Sequence, residues 1–258
     1  MSSDSIRLIC NPFTHETLHL SDTSEGPVLV GDESATTFRV RDGIPILMNS
    51  ANITNASQKS RRYYDAVAPI YAFTQSVYYR LNGGEAESRQ EYLNYVRVKK
   101  GDRVLEVSVG NGANIRFLPK EAEYFGIDVS WKQLVRCKST GACFGFEVEL
   151  FQADAEHLPF VDNSFDVVFN VGSVNYFEDK STAVDEMFRV AKPGALMVIA
   201  DETEKAASSH NKLPIFRGYY NSWKTPVEPP VDELPSDAKN VRLTESRSGM
   251  YFSLQFTK

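Results

Sequence analysis

The chain has 258 residues, of which 42% are hydrophobic and 24% are charged. These are ordinary values for a globular protein, so they exclude a wholly disordered chain and allow one large domain with a small appendage. The 28 basic and 34 acidic residues give a net charge of -6, which opposes long-range attraction to nucleic acid.

The cysteines and the amino terminus indicate the compartment. Cys10, Cys137 and Cys143 form no C-x-x-C pair, which is typical of reduced thiols in an intracellular protein. Residues 1–7 lack the apolar core of a signal peptide, and no apolar run is long enough to span a membrane. We therefore expect a cytoplasmic protein without membrane insertion, and its oligomeric state has no sequence signal.

The chain begins with a small β-rich module, predicted for residues 1–48. Short apolar runs alternate there with turn residues, as in EGPVLVGD and TTFRVRDGIPILM. Residues 49–60 are rich in Ser and Asn and are predicted to be a linker. Residues 61–258 form the second predicted domain. It opens with an aromatic segment, residues 61–100, whose apolar spacing of three and four predicts a helical cap.

From residue 102 the pattern becomes strand, turn and helix, repeated. The apolar runs are RVLEVSV, YFGIDV, FEVELFQ, FDVVFNV and ALMVIAD. Continuous apolar strands that alternate with helices predict an α/β domain with a parallel sheet covered on both faces. The last of these helices is predicted to stop at Pro193 and Gly194. After an insertion at residues 205–238, NVRLTES and MYFSLQF predict an antiparallel hairpin.

Glycine and acidic residues follow the first three of these strands. Gly110 and Gly112 let the backbone approach a ligand at the strand end, although two glycines there could also serve turn geometry alone. Asp128 ends the next strand, sixteen positions later (128 minus 112), near the spacing at which an acidic residue meets ribose hydroxyls. Asp154 follows the third strand, within reach of an adenine amino group. Together these residues predict a nucleoside-containing cofactor.

Residues 102–204 resemble the class I S-adenosylmethionine-dependent methyltransferases of the ubiquinone/menaquinone-biosynthesis type (methyltransferase type 11). The family pattern combines acidic-x-G-x-G-x-G, an acidic end to the second strand, D-A-x-x-L-P-F, F-D-x-V and R-V-L-K-P-G. The matching residues are Glu106, Gly110, Gly112, Asp128, 154–160, 165–168 and 189–194. The resemblance implies a Rossmann-like sheet of seven strands and S-adenosylmethionine as the cofactor.

The resemblance also implies individual roles. Gly110 and Gly112 would line the methionine part, Asp128 the ribose, and Asp154 with Ala155 the adenine. Glu106 would hold the first loop and face the cofactor's amino group. The full predicted cofactor-binding set is Glu106, Ser108, Gly110, Gly112, Asp128, Val129, Asp154, Ala155 and Asn170.

Ser108 departs from the family pattern, because it occupies the position of the first family glycine. The loop must therefore tolerate a Cβ atom and a hydroxyl there. We expect backbone torsion angles that a serine adopts without loss; the alternative is impaired cofactor binding.

The acceptor site is expected beyond the fourth strand and beneath the aromatic segments. The predicted acceptor-binding residues are Asn175, Tyr176, Tyr219, Tyr220 and Trp223. Proton removal from the acceptor could be assisted by His210, Tyr64 or Tyr71. The alternatives are that His210 is a solvated loop residue and that the aromatic residues only pack lid helices. His157 is interpreted as a wall of the cofactor pocket.

The first module resembles the short zinc-ribbon-like family that accompanies many methyltransferases. FRVRDGIPILM resembles the close of that family and LICNPFTHETL its opening, with Phe13 in place of the second cysteine. A structural zinc site needs four ligands, and Cys10, His15 and His19 are too few and poorly spaced. We predict a degenerate ribbon without metal.

The sequence is compatible with three functions. The favoured one is a methyltransferase that acts on a small, partly apolar molecule, because the chain is acidic and its lid segments are aromatic. An rRNA or tRNA methyltransferase is the second, since a ribbon fused ahead of this domain resembles rRNA guanine methyltransferases. The third is an S-adenosylmethionine-binding protein without catalysis, which Ser108 leaves open.

Overall fold

The computed structural model describes residues 3–48, 84–210, 227–246 and 248–258. The predicted linker, most of the cap and most of the insertion lie outside these ranges. The predicted site residues outside them are Tyr64, Tyr71, Tyr219, Tyr220 and Trp223. Of His210 only the backbone is described. None of the helices in the described ranges combines the length and the apolar character that crossing a membrane requires.

The amino-terminal module is a four-stranded antiparallel sheet, which confirms the β-rich prediction. Its strands follow chain order, β1-β2-β3-β4. A single helical turn, α1 (Ser3–Ile6), precedes β1 (Leu18–Thr23), β2 (Gly26–Gly31), β3 (Thr37–Arg41) and β4 (Ile44–Pro45). The turn between β3 and β4 requires Gly43, whose φ is 78°.

The second sheet has seven strands in the order β10-β11-β9-β8-β5-β6-β7. The strands are β5 (Arg103–Val107), β6 (Glu123–Asp128), β7 (Glu149–Gln152), β8 (Phe165–Val171), β9 (Ala191–Glu202), β10 (Lys239–Glu245) and β11 (Tyr251–Thr257). Strands β5 to β9 pair in parallel, whereas β11 runs antiparallel to β9 and to β10. The predicted α/β fold with a carboxyl-terminal antiparallel hairpin is therefore confirmed.

Four further helices connect or flank these strands: α2 (Glu85–Leu93), α3 (Trp131–Phe144), α4 (Lys180–Val190) and α5 (Glu204–His210). Helix α3 begins where the Ser130 side chain accepts the Gln133 N–H, and it ends at Gly145, whose φ is 68°. Helix α4 begins where the Asp179 side chain accepts the Thr182 N–H. Single 3-10 turns occur at Ile115–Phe117 and Val174–Tyr176.

The predicted stop of α4 at Pro193 and Gly194 was wrong by several residues. The helix ends at Val190, and β9 begins at Ala191, which pairs with Phe165 of β8. Proline disfavours helical torsion angles in the residue before it, so Lys192 is already extended. The Lys192 Nζ atom then lies 2.7 Å from an Asp166 carboxylate oxygen, an ion pair that holds the start of β9 against β8.

The module and the seven-stranded sheet share one hydrophobic core. Phe125, Phe151, Phe160 and Phe165 pack edge to face or stacked, with ring centroids between 4.9 and 6.5 Å apart. Module residues that belong to the same buried cluster are Ile9, Leu29, Phe38 and Leu47. The predicted domain boundary at residue 48 stays a prediction, since the packing is continuous across it.

Candidate functional site

The predicted cofactor residues lie at one edge of the sheet. The chain runs from β5 toward β6 and β7 on one side, and β8 and β9 lie on the other, so strand order reverses between β5 and β8. Ligands of open α/β sheets bind outside the carboxyl ends of the strands at such a reversal. We call this side of the sheet, where β5 to β9 end, the carboxyl edge. It carries the loop after β5 and the ends of β6, β7 and β8.

The loop after β5 has three left-handed residues. Ser108, Gly110 and Gly112 have φ values of 63°, 55° and 74°. A Cβ atom on Gly110 would meet no heavy atom of the described residues within 4 Å, whereas one on Gly112 would lie 2.6 Å from Cys137 Sγ. Gly110 therefore leaves space at the carboxyl edge, and Gly112 allows the loop to pack against α3.

The backbone conformation of Ser108 is less favourable than the sequence indicated. A serine in the left-handed region is strained by its Cβ atom, so the expectation of readily adopted torsion angles was wrong. We predict that Ser108→Gly raises the free energy of unfolding by about 0.5–1 kcal/mol, because relief of strain exceeds the entropy that glycine adds to the unfolded chain. Urea denaturation measures the change. Ser139→Gly, inside helix α3, is the matched control and should lower the free energy of unfolding. If both variants lowered it by similar amounts, the prediction would be contradicted.

Asp128 joins two loops of the carboxyl edge. Its Oδ2 atom accepts the Gly110 N–H at 2.9 Å, and its Oδ1 atom accepts the Ser130 N–H at 2.8 Å. The next residue, Val129, is held through its carbonyl, which accepts the Gln152 Nε2 hydrogen at 2.8 Å. Asp128 thus lies where the resemblance puts the ribose, and it also fixes the loop that would meet the rest of the cofactor.

Glu106 is a buried carboxylate with one satisfied oxygen. Its Oε1 atom accepts from Asn114 Nδ2 at 2.6 Å, whereas Oε2 is buried without a hydrogen-bond partner among the described residues. Asn114 in turn accepts from Arg89 Nη1 of helix α2 at 2.6 Å. Burial raises the pKa of Glu106 to about 8, against the lowering effects of the Asn114 hydrogen bond and the Arg89 charge. A ligand ammonium group beside Oε2 would favour the charged form.

Asn114 and Arg89 were not predicted from the sequence. Neither residue lies in a recognised motif, and the Arg89 contact spans 25 positions along the chain. The pair ties helix α2 to the loop after β5, so the described end of the predicted cap reaches the cofactor residues through hydrogen bonds.

Unsatisfied buried polar atoms are concentrated at the carboxyl edge. In the described part of the chain, six buried side-chain nitrogen or oxygen atoms have no hydrogen-bond partner. Four of the six lie at this edge: Glu106 Oε2, Asp154 Oδ2, Asn170 Oδ1 and Asn175 Nδ2. Each costs about 1–3 kcal/mol when left unpaired. Three are oxygens that accept hydrogen bonds, which fits a ligand carrying ammonium, amino and hydroxyl donors.

Asn170 lies between the cofactor and acceptor regions. It is fully buried in β8, and its Nδ2 atom donates to the Val107 carbonyl at 2.8 Å and to Ser173 Oγ at 2.6 Å. The amide therefore clamps the end of β5 to the turn that follows β8, and it leaves its own oxygen for a ligand.

The predicted acceptor residues Asn175 and Tyr176 lie in the 3-10 turn after β8. The Asn175 N–H donates to Asp201 Oδ2 at 3.3 Å, and Asn175 Oδ1 accepts from Lys180 Nζ at 3.1 Å. Asp201 lies near the end of β9 and is 4% exposed. Asp201 was not among the residues predicted from the sequence, although it ends the run ALMVIAD just as Asp128 ends β6.

The amino-terminal module holds the segment that is predicted to bind adenine. Before this segment, the Leu47 N–H donates to the Gln152 carbonyl at 2.8 Å. After it, the Cys10 N–H donates to the Pro159 carbonyl at 3.0 Å, and the Val161 N–H donates to the Leu8 carbonyl at 2.9 Å. The module therefore braces residues 152–161 from both ends.

A ring contact completes this brace. The Phe13 ring centroid lies 5.2 Å from that of His157. We predict that Phe13→Ala raises the dissociation constant of S-adenosylhomocysteine about 2- to 10-fold, since an aromatic contact contributes about 0.5–1.5 kcal/mol. Calorimetry on the purified chain measures it. Leu20→Ala, at a half-exposed position of β1, is the control, and equal affinities for both variants would contradict a bracing role.

A carboxylate organises the turns of the module. Glu16 accepts hydrogen bonds from Asn11 Nδ2 and from the N–H groups of Glu33 and Ser34, each at 2.8 Å. Within the described ranges, no group of three or more His, Cys, Asp and Glu side chains is placed to hold a metal ion. The buried Cys10 thiol has its pKa raised to about 11, mainly by burial. A ribbon without zinc remains a prediction for metal analysis.

The chain is similar to known methyltransferases. Residues 105–199 match the family model described as "Methyltransferase domain". Demethylmenaquinone methyltransferase of Paenarthrobacter aurescens is 29% identical over 179 residues, which cover 68% of this chain and 65% of that protein. The ubiquinone/menaquinone biosynthesis C-methyltransferase UbiE of Geotalea daltonii is 25% identical over 189 residues, covering 70% and 77%.

The fold is also that of solved structures. A SAM-dependent methyltransferase of Thermotoga maritima, described as a possible histamine N-methyltransferase, gives a TM-score of 0.58 at 16% identity. The match covers 77% of this chain and 99% of that one. At this identity the likeness shows the fold alone.

Proposed function

Because this chain contains a class I S-adenosylmethionine-dependent methyltransferase domain of the ubiquinone/menaquinone-biosynthesis type, we propose that the protein methylates a small, partly apolar acceptor. The observation that carries the proposal is the group of buried, unpartnered polar atoms at the carboxyl edge. Three of them suit the donor groups of the cofactor, and the fourth, on Asn175, lies on the acceptor side.

The cofactor fits the residues at this edge. Glu106 Oε2 would accept from the ammonium group, Asp128 from the ribose hydroxyls and Asp154 Oδ2 from the adenine amino group. The space in front of Gly110 lets the backbone approach the methionine part. When bound, S-adenosylmethionine supplies an already activated methyl group on a positively charged sulfur. The chain then has to bind the acceptor in line with that methyl and exclude water.

The size and character of the acceptor follow from the relatives and from charge. One relative is named for the methylation of demethylmenaquinone, and the other is named as a C-methyltransferase of ubiquinone and menaquinone biosynthesis. Quinones are small molecules compared with a polynucleotide. The net charge of -6 opposes binding of RNA. We propose that the acceptor enters between the cap and the 205–238 insertion, whose aromatic residues would line a largely apolar pocket.

A labelling experiment tests this function. The purified chain is incubated with S-adenosylmethionine that carries a radioactive methyl group and with 1,4-dihydroxynaphthalene as a hydroquinone probe. We expect label in the organic extract. Transfer RNA and ribosomal RNA are assayed in parallel, and label in either would favour the RNA alternative. Tight S-adenosylhomocysteine binding without turnover of a broad set of small acceptors or RNA would favour the non-catalytic alternative.

A further inference from the structure

A buried pair of polar side chains lies on the acceptor side of the carboxyl edge. Asp201 is 4% exposed and Asn175 is 7% exposed, and the two are joined by the 3.3 Å hydrogen bond from the Asn175 N–H. Among the described residues, the hydrogen bonds that the Asp201 carboxylate accepts come from the backbone N–H groups of Asn175 and Glu202, and the Asn175 Nδ2 atom has no hydrogen-bond partner there. A buried carboxylate held only by backbone N–H groups is costly to retain, which points to a role beyond packing.

We propose that Asn175 and Asp201 form a subsite for an aromatic hydroxyl group of the acceptor, with Asp201 as the base that removes its proton. The inference rests on the proposed function, and it adds the two residues that would bind the hydroxyl group and a catalytic role for one of them. Asn175 Nδ2 would donate to the hydroxyl oxygen, and the hydroxyl would donate to the Asp201 carboxylate.

The chemistry of the pair selects a hydroxyl. Nδ2 of Asn175 can only donate, so its partner must accept, whereas an ionised Asp201 can only accept, so its partner must donate. One hydroxyl group satisfies both side chains at once. A protonated amine offers no acceptor for Asn175, and an ether or a quinone carbonyl offers no donor for Asp201.

Acidity selects an aromatic hydroxyl. Burial and the neighbouring Glu202 charge raise the pKa of Asp201 to about 7. A phenol, with a pKa near 10, can lose its proton to such a base at a cost of about 4 kcal/mol, whereas an aliphatic alcohol, with a pKa close to that of water, cannot do so readily.

The transfer balances without any other reactant. The hydroxyl O–H bond breaks, its proton goes to an Asp201 oxygen, and the electron pair stays on the acceptor as a phenolate. The phenolate shares its electron pair with the adjacent ring carbon, which attacks the methyl carbon; a carbon–carbon bond forms, and the carbon–sulfur bond breaks with its electron pair left on sulfur. The C–H bond of the attacked ring carbon then breaks, its electron pair restores the aromatic ring, its proton passes to solvent, and Asp201 returns its own proton to the oxygen.

The charged groups around Asp201 determine the expected pH dependence. Glu202 raises its pKa, whereas Lys180 and the N–H groups of Glu202 and Asn175 lower it. Its cross-strand neighbour on β11 is the uncharged Phe252. Since the base must be ionised, kcat of the wild type should fall as the pH drops below about 7.

Replacement of Asp201 tests the base. With 1,4-dihydroxynaphthalene, Asp201→Asn should lower kcat at least about 100-fold near neutral pH with little change in KM, and the acid limb should disappear. The rate of this variant should recover as the pH approaches the pKa of the acceptor, because the phenolate then forms without a base. Glu202→Gln is the matched control: it keeps kcat, and its acid limb moves to lower pH because a like charge is gone.

A binding measurement tests the subsite independently of turnover. In the presence of S-adenosylhomocysteine, the wild type should bind 2-naphthol at least about 5-fold more tightly than 2-methoxynaphthalene, which has no hydroxyl proton. Asp201→Ala should remove this preference, whereas Asn175→Ala should weaken both ligands to a similar extent, because both ligands offer an oxygen to Nδ2. S-adenosylhomocysteine should still bind to both variants, which shows that each is folded.

The outcomes separate the two proposals. Wild-type kcat and an unchanged pH profile in Asp201→Asn would overturn the subsite, as would equal affinity of the wild type for the two naphthalene probes. A preference for 2-naphthol that depends on Asp201, together with weaker binding of both probes in Asn175→Ala, would support the subsite even if no acceptor were methylated, and that failure would count against the proposed function alone.

Discussion

Replacing Gly112 with alanine is expected to lower the free energy of unfolding by about 2–5 kcal/mol. The added Cβ atom would lie 2.6 Å from Cys137 Sγ and 3.3 Å from Phe146 Cζ, so α3 would have to move away from the loop. Overpacking of this kind costs about 1–3 kcal/mol, and a left-handed alanine adds about 1–2 kcal/mol. Urea denaturation followed by circular dichroism measures the loss.

Gly110→Ala is the matched control for this prediction. Gly110 is also left-handed, but its Cβ atom would meet no described atom within 4 Å. It should therefore lose only about 1–2 kcal/mol of stability, from backbone strain, and instead weaken S-adenosylhomocysteine binding by filling the space at the carboxyl edge. Equal stability losses in the two variants would contradict the assignment of Gly112 to packing.

The largest expected effect on binding comes from Asp128→Ala. If Asp128 accepts hydrogen bonds from the ribose, its loss should weaken S-adenosylhomocysteine binding by about 1.5–3 kcal/mol, or roughly 10- to 150-fold in dissociation constant. The variant also frees the N–H groups of Gly110 and Ser130 that the carboxylate now accepts. Calorimetry measures the change.

Asp166→Asn is the control for Asp128. Asp166 lies at the start of β8, at the opposite end of the strands, where it pairs with Lys192. Neutralising it removes the same charge from the sheet but should leave the affinity unaltered. An unchanged dissociation constant in Asp128→Ala would place the ribose contact elsewhere.

The parallel sheet could be predicted because its strands are buried on both faces. Such strands appear in the sequence as continuous apolar runs, so each strand can be recognised from its own residues. The end of α4 was predicted too late because a local signal competed with a non-local one: Pro193 and Gly194 indicated the stop, whereas the pairing of Ala191 with Phe165 already extends the chain. That pairing joins residues 26 positions apart (191 minus 165) and leaves no local pattern.

The residues of the site also fall into those that the sequence predicts and those that it does not. Gly110, Gly112, Asp128 and Asp154 could be identified because each follows an apolar run, and strand ends of parallel sheets meet at one edge. Asn114 could not, because its importance comes from Arg89 and Glu106, which reach it only in the folded chain. The brace formed by the module depends on backbone pairing between residues 8–10 and 159–161, for which no side-chain pattern exists.

The carboxylate of Glu16 makes the stability of the first module sensitive to acid. Its hydrogen bonds, above all those from Ser34, lower its pKa to about 2, whereas a free glutamate titrates near 4.3. The contribution of this contact is therefore complete above the unfolded value and is lost as the pH falls through about 2. The bonds that Glu16 makes contain neither a metal nor a thiol, so chelators and oxidants that dismantle a zinc-bound ribbon would leave them intact.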